Sequence, residues 1–226
     1  MLARTLVLTF HGLGEPIVPP SPGEGRYFVA CDTYRRTIHA LCELEDKNGI
    51  RARVTFDDGN LSDYTQGMPA LIEAKRSATF FVLAGRIDQT GYLSGAQLRE
   101  MVAAGMTIGT HGWDHVDWCG LDAAGRTREM VDARRKIEDA AECAVNEAAI
   151  PFGRFDKAVL AQLKRLDYAR IYTSTGGLSR DTAWFCPRWS ATDTFDPQRD
   201  LPARVGPGQV LRGTLYAPLR RLRYRI

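Results

Sequence analysis

The stretch RARVTFDDGN, residues 51–60, runs an apolar strand into two adjacent carboxylates, Asp57 and Asp58, followed at once by Gly59. Neighbouring side chains of an extended strand point to opposite faces, so a strictly regular Asp-Asp pair would diverge. Held side by side, the two charges repel unless a cation or a shifted pKa accommodates them. The plain alternative is a turn, since Asp, Gly and Asn are all favoured there.

Outward from this stretch the chain alternates strand-like and helix-like segments. TLVLTFHG (5–12) precedes a Pro- and Gly-rich loop and a helical pattern through Tyr34, Ile38 and Leu41. After 51–59 come a helix over 63–76, the strand SATFFVLAG (77–85), and SGAQLREMVAAG (94–105), which opens with a Ser94/Gln97 capping box. MTIGTHGW (106–113), a helix over 121–145, EAAIPFG (147–153), a helix over 156–167 and ARIYTS (169–174) continue the pattern. Strands separated by helices imply right-handed βαβ units and a parallel sheet. With no Gly-rich phosphate loop, the fold class expected is α/β, a distorted parallel (β/α) barrel of about seven strands. In such a barrel catalytic groups collect at the C-terminal strand ends, where His11, Asp57, Asp58, His111 and the Phe152 segment all fall.

The 226 residues, 44% hydrophobic, suffice for one sizeable domain, expected over 1–226 with a basic tail at 210–226. The short apolar N-terminus with no cleavage site reads as a strand, and the localisation expected is cytoplasmic. No apolar run reaches membrane-helix length. Five cysteines without CxxC spacing disfavour a disulfide framework and a structural zinc site. A net charge of +3 gives no argument for nucleic acid. The tail APLRRLRYRI (217–226) with Leu215, Leu219 and Leu222 at helical spacing reads as a surface helix with a basic face, which offers contact with an acidic membrane surface at the inner membrane. Oligomeric state is open.

IGTHGWDHVDW (108–118) puts His111 and His115 four residues apart, and on a helical turn that spacing brings both imidazoles to one side. The HExxH protease signature does not fit, because Gly112 stands in the place of its Glu. With Asp58 the histidines make a three-ligand site for a divalent metal, Zn2+ first, with Co2+, Ni2+ and Mn2+ as alternatives. Asp57, beside such a metal, is placed to take a proton from a bound water.

TFDDG (55–59) followed by HGWDH (111–115) resembles the first two motifs of the polysaccharide deacetylases, the NodB-homology enzymes of carbohydrate esterase family four. AIPFGRFDKAVLAQLKRLDYARIYTS (149–174) is similar to the third motif with its succeeding helix and strand. The resemblance implies removal of acetyl groups from amino sugars, with Asp57 as base, Asp58, His111 and His115 as metal ligands, and the Phe152 N–H after Pro151 as an oxyanion donor. The chain departs from the pattern in three places. Gly112 replaces the usual Ser or Thr; Ala149 stands where an Arg orients the base, leaving Arg188 in CPRWS (186–190) as its substitute; and no His follows His115. His11, in LTFHG (8–12), resembles the last-motif His moved to the N-terminus, and a barrel makes first and last strands neighbours. Trp113 and Trp189 are candidate platforms for sugar rings, with Pro151 as a further substrate-binding residue. The expected partner is an acetylated amino-sugar glycan or glycolipid precursor of lipopolysaccharide or exopolysaccharide. The rivals are a glycan-binding or scaffold protein that has lost catalysis, and a non-haem iron oxygenase, whose ligand order and β-sandwich setting fit badly.

Overall fold

A computed structural model describes residues 4–206, 208–209 and 223. The basic-tail helix over 210–226 therefore lies outside the described residues, apart from Arg223. Six parallel strands succeed one another around the sheet: β1 (Arg4–Phe10), β2 (Ile50–Asp58), β3 (Ala78–Val82), β4 (Thr107–Thr110), β5 (Glu147–Ala149) and β6 (Arg170–Thr173). β7 (Leu178–Arg180) runs antiparallel along the first half of β1. The chain then closes the ring. β8 (Phe185–Pro187) pairs with β6, and after Arg188 alone β9 (Trp189–Ser190) pairs with β1. One continuous stretch, 185–190, thus lies between the last and first parallel strands and serves as the seventh stave.

β1 is buried on both faces beyond its first residue, as a parallel strand flanked by other layers must be. One face, Leu6, Leu8 and Phe10, joins Val54, Phe56 and Phe80 under the helices, with Phe56 and Phe80 stacked at 4.7 Å. Helix α1 (Cys31–Asn48) adds Tyr34, Ile38, Leu41 and Leu44 at three- and four-residue spacing and ends at Gly49, whose φ of 62° only glycine adopts freely. The other face points into the barrel and is layered. Val7, Phe81, Ala149, Tyr172 and Cys186 fill its middle. Below them Glu147 accepts from Thr79 Oγ1, Arg170 and Tyr172 Oη, so this buried carboxylate is fully engaged. Above them, two residues on from Cys186, stands Arg188.

The helix expected at 63–76 begins as one wide π turn (Asp63–Gly67) before α2 (Met68–Glu73). The capping box heads α3 (Gly95–Ala103), as its Ser94 and Gln97 imply. The helix expected over 121–145 is shorter, α4 (Ala123–Thr127) running through a π turn (Arg128–Asp132) into α5 (Ala133–Ala141). α6 (Lys157–Arg165) is capped by Asp156, which accepts from Val159 N, and α7 (Pro197–Val205) ends the described fold. The cysteines are free thiols. No helix among the described residues is long and apolar enough to cross a membrane.

Candidate active site

The two carboxylates meet at one mouth because Asp58 breaks the strand alternation. Asp57 follows Thr55 on the inward face, and Asp58 has φ 76°, which turns its side chain back toward the barrel opening. His115 (φ 57°) and Phe152 (φ 56°) are also left-handed, so three of the seven such non-glycine residues among those described cluster here. Backbone strain of this kind gathers where a site must be held.

Asp57 is buried against Arg188. Two parallel bonds run from Nη1 to Oδ1 (2.6 Å) and from Nη2 to Oδ2 (2.7 Å), and Nη1 also donates to Thr9 and Thr55 hydroxyls. Far from the surface position an isolated Arg ordinarily takes, Arg188 is 1% exposed, with Phe81 and Tyr172 rings flanking its guanidinium. Burial alone would push the Asp57 carboxyl up, but Arg188 overrides it and holds the group well below the usual carboxylate range.

Asp58 has the opposite environment. Its Oδ1 lies 3.8 Å from His111 Nε2 and 3.6 Å from His115 Nε2, buried and with no hydrogen-bond partner. The three ligand atoms lie within 4.8 Å of one another. His111 Nδ1 is 2.8 Å from the Ala149 carbonyl, so Nδ1 carries the proton and Nε2 presents its lone pair. Burial pushes His111 down to about 3 and lowers His115, keeping both imidazoles neutral, while burial, reinforced by Asp57, raises Asp58 to about 6. An orphaned buried carboxylate oxygen facing two neutral imidazole nitrogens fits a divalent cation, because each donor lacks what a cation supplies.

The histidines do not share a helical turn. His111 follows β4, and residues 111–120 form an irregular loop, in which Gly112 has φ 91°. Glu129 shapes that loop: its buried carboxylate accepts from Trp113 N (2.8 Å), Asp114 N (3.1 Å) and Trp118 Nε1 (3.4 Å). A Cβ on Gly112 would run into Glu129 Oε2, which explains glycine here. Glu129 lies at four-residue spacing with Ala133 and Ile137 on the buried helix face, a sequence signal for a buried acid.

His11 follows β1 directly, with Nε2 3.8 Å from Asp57 Oδ2 and its ring 4.7 Å from Tyr27, while its carbonyl accepts from Asn60 Nδ2. Phe152, 52% exposed, sets its ring 4.5 Å from His115, and buried Pro151 starts the 3-10 turn (Pro151–Gly153) that presents it. Glu24, 3.6 Å from His115 Nδ1, comes from the Pro/Gly loop, where no periodicity marks it. The two tryptophans expected as sugar platforms, Trp113 and Trp189, are both half-buried. Trp113 lies against Gly85 with Arg128 (4.5 Å) and Lys136 (4.9 Å) over its indole. Since Arg188 points inward, alternation sends Trp189 outward, where it meets Arg204 of α7 at 5.3 Å.

A mostly parallel sheet nearly closed into a barrel carries at its strand-end mouth two histidines and two divided carboxylates, of which Asp58, His111 and His115 could hold a metal ion. Residues 45–171 match the polysaccharide deacetylase family, and the chain belongs to it. A chitin deacetylase of Pestalotiopsis sp is 36% identical over 94 residues, covering 42% of this chain and 30% of that protein. The peptidoglycan-N-acetylglucosamine deacetylase PgdA of Listeria monocytogenes serotype 1/2a (strain 10403S) is 27% identical over 118 residues, 52% of this chain and 24% of that one. The chain thus spans less than a third of the length of either relative. In fold it is similar to the Streptococcus pyogenes deacetylase PplD, with a TM-score of 0.77 at 19% identity over 92% of this chain and 100% of that one.

Proposed function

We propose that the protein is a metal-dependent hydrolase that removes the acetyl group from an N-acetylated sugar of a polysaccharide or its precursor. The observation that carries this is the split fate of the aspartates, Asp58 facing two imidazole lone pairs and Asp57 clamped beside it by Arg188. A divalent cation on Asp58, His111 and His115, for which Zn2+ is the first choice, would polarise the acetamide carbonyl and acidify a water. Asp57, ionised at neutral pH, accepts the water's proton as the water adds to the carbonyl carbon. The Phe152 N–H donates to the developing oxyanion. His11 donates a proton to the leaving nitrogen as the C–N bond breaks, giving acetate and the free amine. Arg188 acts through Asp57, fixing the plane of its carboxylate, and so takes the position vacated by Ala149.

The glycan-binding rival rests on the missing Arg and C-terminal His. Arg188 in contact with Asp57, and His11 at 3.8 Å from it, support the catalytic reading instead. A cavity of about 280 Å³, lined among others by Leu13, Phe28, Ser62 and Gln66, adjoins the site through Asn60 and offers room for more of a glycan. A cytoplasmic location, a lipopolysaccharide or exopolysaccharide precursor as substrate, and membrane contact through the basic tail complete the proposal. Asp57→Asn is the test. Acetate release from N-acetylated glycans should be abolished with metal content unchanged, and retained turnover would overturn the assignment.

A further inference from the structure

Arg86 has no part in the chemistry above. It closes the 3-10 turn Ala84–Arg86 after β3, and that turn is locked to the metal-ligand loop by Ala84 N donating to Gly112 O (2.9 Å) and Gly85 N to Trp113 O (3.0 Å). The guanidinium rests over the Tyr92 ring at 4.9 Å, with Nη1 3.9 Å from Asp58 Oδ1. Those are its side-chain contacts among the described residues, and neither is a hydrogen bond of normal length. Five N–H donors in a fixed fork are therefore held at the mouth without a hydrogen-bond acceptor among the described residues. Asp58 is Arg86's one carboxylate neighbour among the described residues, and a cation bound there would share that negative charge. Asp57 is matched by Arg188, and Glu24 lies 3.6 Å from His115 Nδ1. With a divalent cation on Asp58, the guanidinium on the rim would be left with only the Tyr92 ring as a partner among the described residues.

We propose that Arg86 is the binding arm for an anionic substituent, a carboxylate or a phosphate, on the N-acetylated sugar. The substrate class is thus an acidic amino-sugar unit rather than a neutral one. Either anion matches the planar fork with two parallel N–H···O bonds. This inference rests on the deacetylase reading and deepens it.

The test compares metal-loaded protein with Arg86→Gln and Arg86→Lys on three substrates: neutral N-acetylglucosamine oligomers, oligomers containing an N-acetylhexosaminuronate, and N-acetylglucosamine phosphate. Hydrogen bonds to a charged group are worth enough for about a tenfold or greater effect. The wild type should prefer one of the two acidic substrates, and which one separates carboxylate from phosphate. Arg86→Gln should lower the acidic-to-neutral ratio of kcat/KM about tenfold, chiefly through KM, with partial recovery in Arg86→Lys. Equal losses on acidic and neutral substrates, or no wild-type preference for acid, would overturn the proposal. If no substrate releases acetate, the deacetylase reading is what fails. Calorimetry then decides Arg86 separately: tighter binding of N-acetylglucosamine phosphate than of N-acetylglucosamine, lost in Arg86→Gln, supports it, and equal binding refutes it.

Discussion

Adjacent in sequence, Asp57 and Asp58 are made different acids by their surroundings, and that difference makes the site's pH dependence calculable. Asp58 is raised to about 6 by burial, with Asp57 adding to the effect, whereas burial holds His111 down near 3. Below about pH 6 the metal-free protein keeps a proton on Asp58, and a cation must displace it, while His111, held near 3, presents no comparable competitor. Metal affinity should therefore fall about tenfold per pH unit below about 6 and level off above it. Chelator competition from pH 5 to 8 measures this, and an affinity independent of pH below 6 would contradict it. Arg188 yields a stability prediction of a different kind. Arg188→Met leaves the Asp57 charge buried and unpaired, which costs about 3–5 kcal/mol. Arg188→Lys should recover little of it, since one ammonium cannot make two parallel bonds. Urea denaturation of the metal-free proteins distinguishes these outcomes.

The element that holds the candidate ligands His111 and His115 is the 111–120 loop on its Glu129 anchor, rather than a helix. Gly112→Ser restores the residue type usual in the resembling motif, yet here it forces a Cβ at φ 91° into Glu129 Oε2. It should therefore weaken metal binding about 10–100-fold, the range typical of disturbed ligand support. Glu129→Ala should do likewise by freeing three N–H donors, and metal affinity unchanged in both variants would show that the loop holds itself. The same loop marks where the sequence is legible and where it is not. Apolar runs such as TLVLTF reveal strands because burial on both faces leaves little choice of residue. The His111–His115 spacing reads as a helical turn because four residues suit one, and only Gly112 and the buried Glu129 hint otherwise. Asp57, Asp58 and the histidines stand out through their motif, and Arg188 through the gap at Ala149. Glu24 and Arg86 belong to short turns whose placement depends on tertiary contacts, so no local pattern carries them. Trp189 sits one step of strand alternation from an inward Arg188, so it is turned outward toward Arg204.

At the scale of the whole molecule, the candidate ligands come from separate parts of the ring, Asp58 from the end of β2 and His111 and His115 from the loop after β4, with β3 between them. Asp57 is tied by Arg188 to the closing stretch 185–190, which itself joins β6 to β1. A cation at the mouth would therefore cross-link segments that must separate on unfolding, and anything that binds only the folded state stabilises it by mass action. At a free metal concentration about a hundredfold above Kd that gain is about 2.7 kcal/mol. For a domain of this size each kcal/mol moves Tm by roughly 2–4 °C, so metal loading should raise Tm by about 5–11 °C. Asp58→Asn should lose the metal-dependent increment, because a neutral amide cannot replace the carboxylate as a ligand. Asp57→Asn should retain the increment even as it abolishes acetate release, because both Asp57 oxygens are taken up by Arg188, Oδ2 lying 3.8 Å from His111 Nε2 without joining the three-residue ligand cluster. Calorimetric scans of the three proteins with and without metal separate these roles. An increment surviving in Asp58→Asn would remove that residue from the ligand set, and one lost in Asp57→Asn would give both carboxylates to the metal and leave the base unassigned.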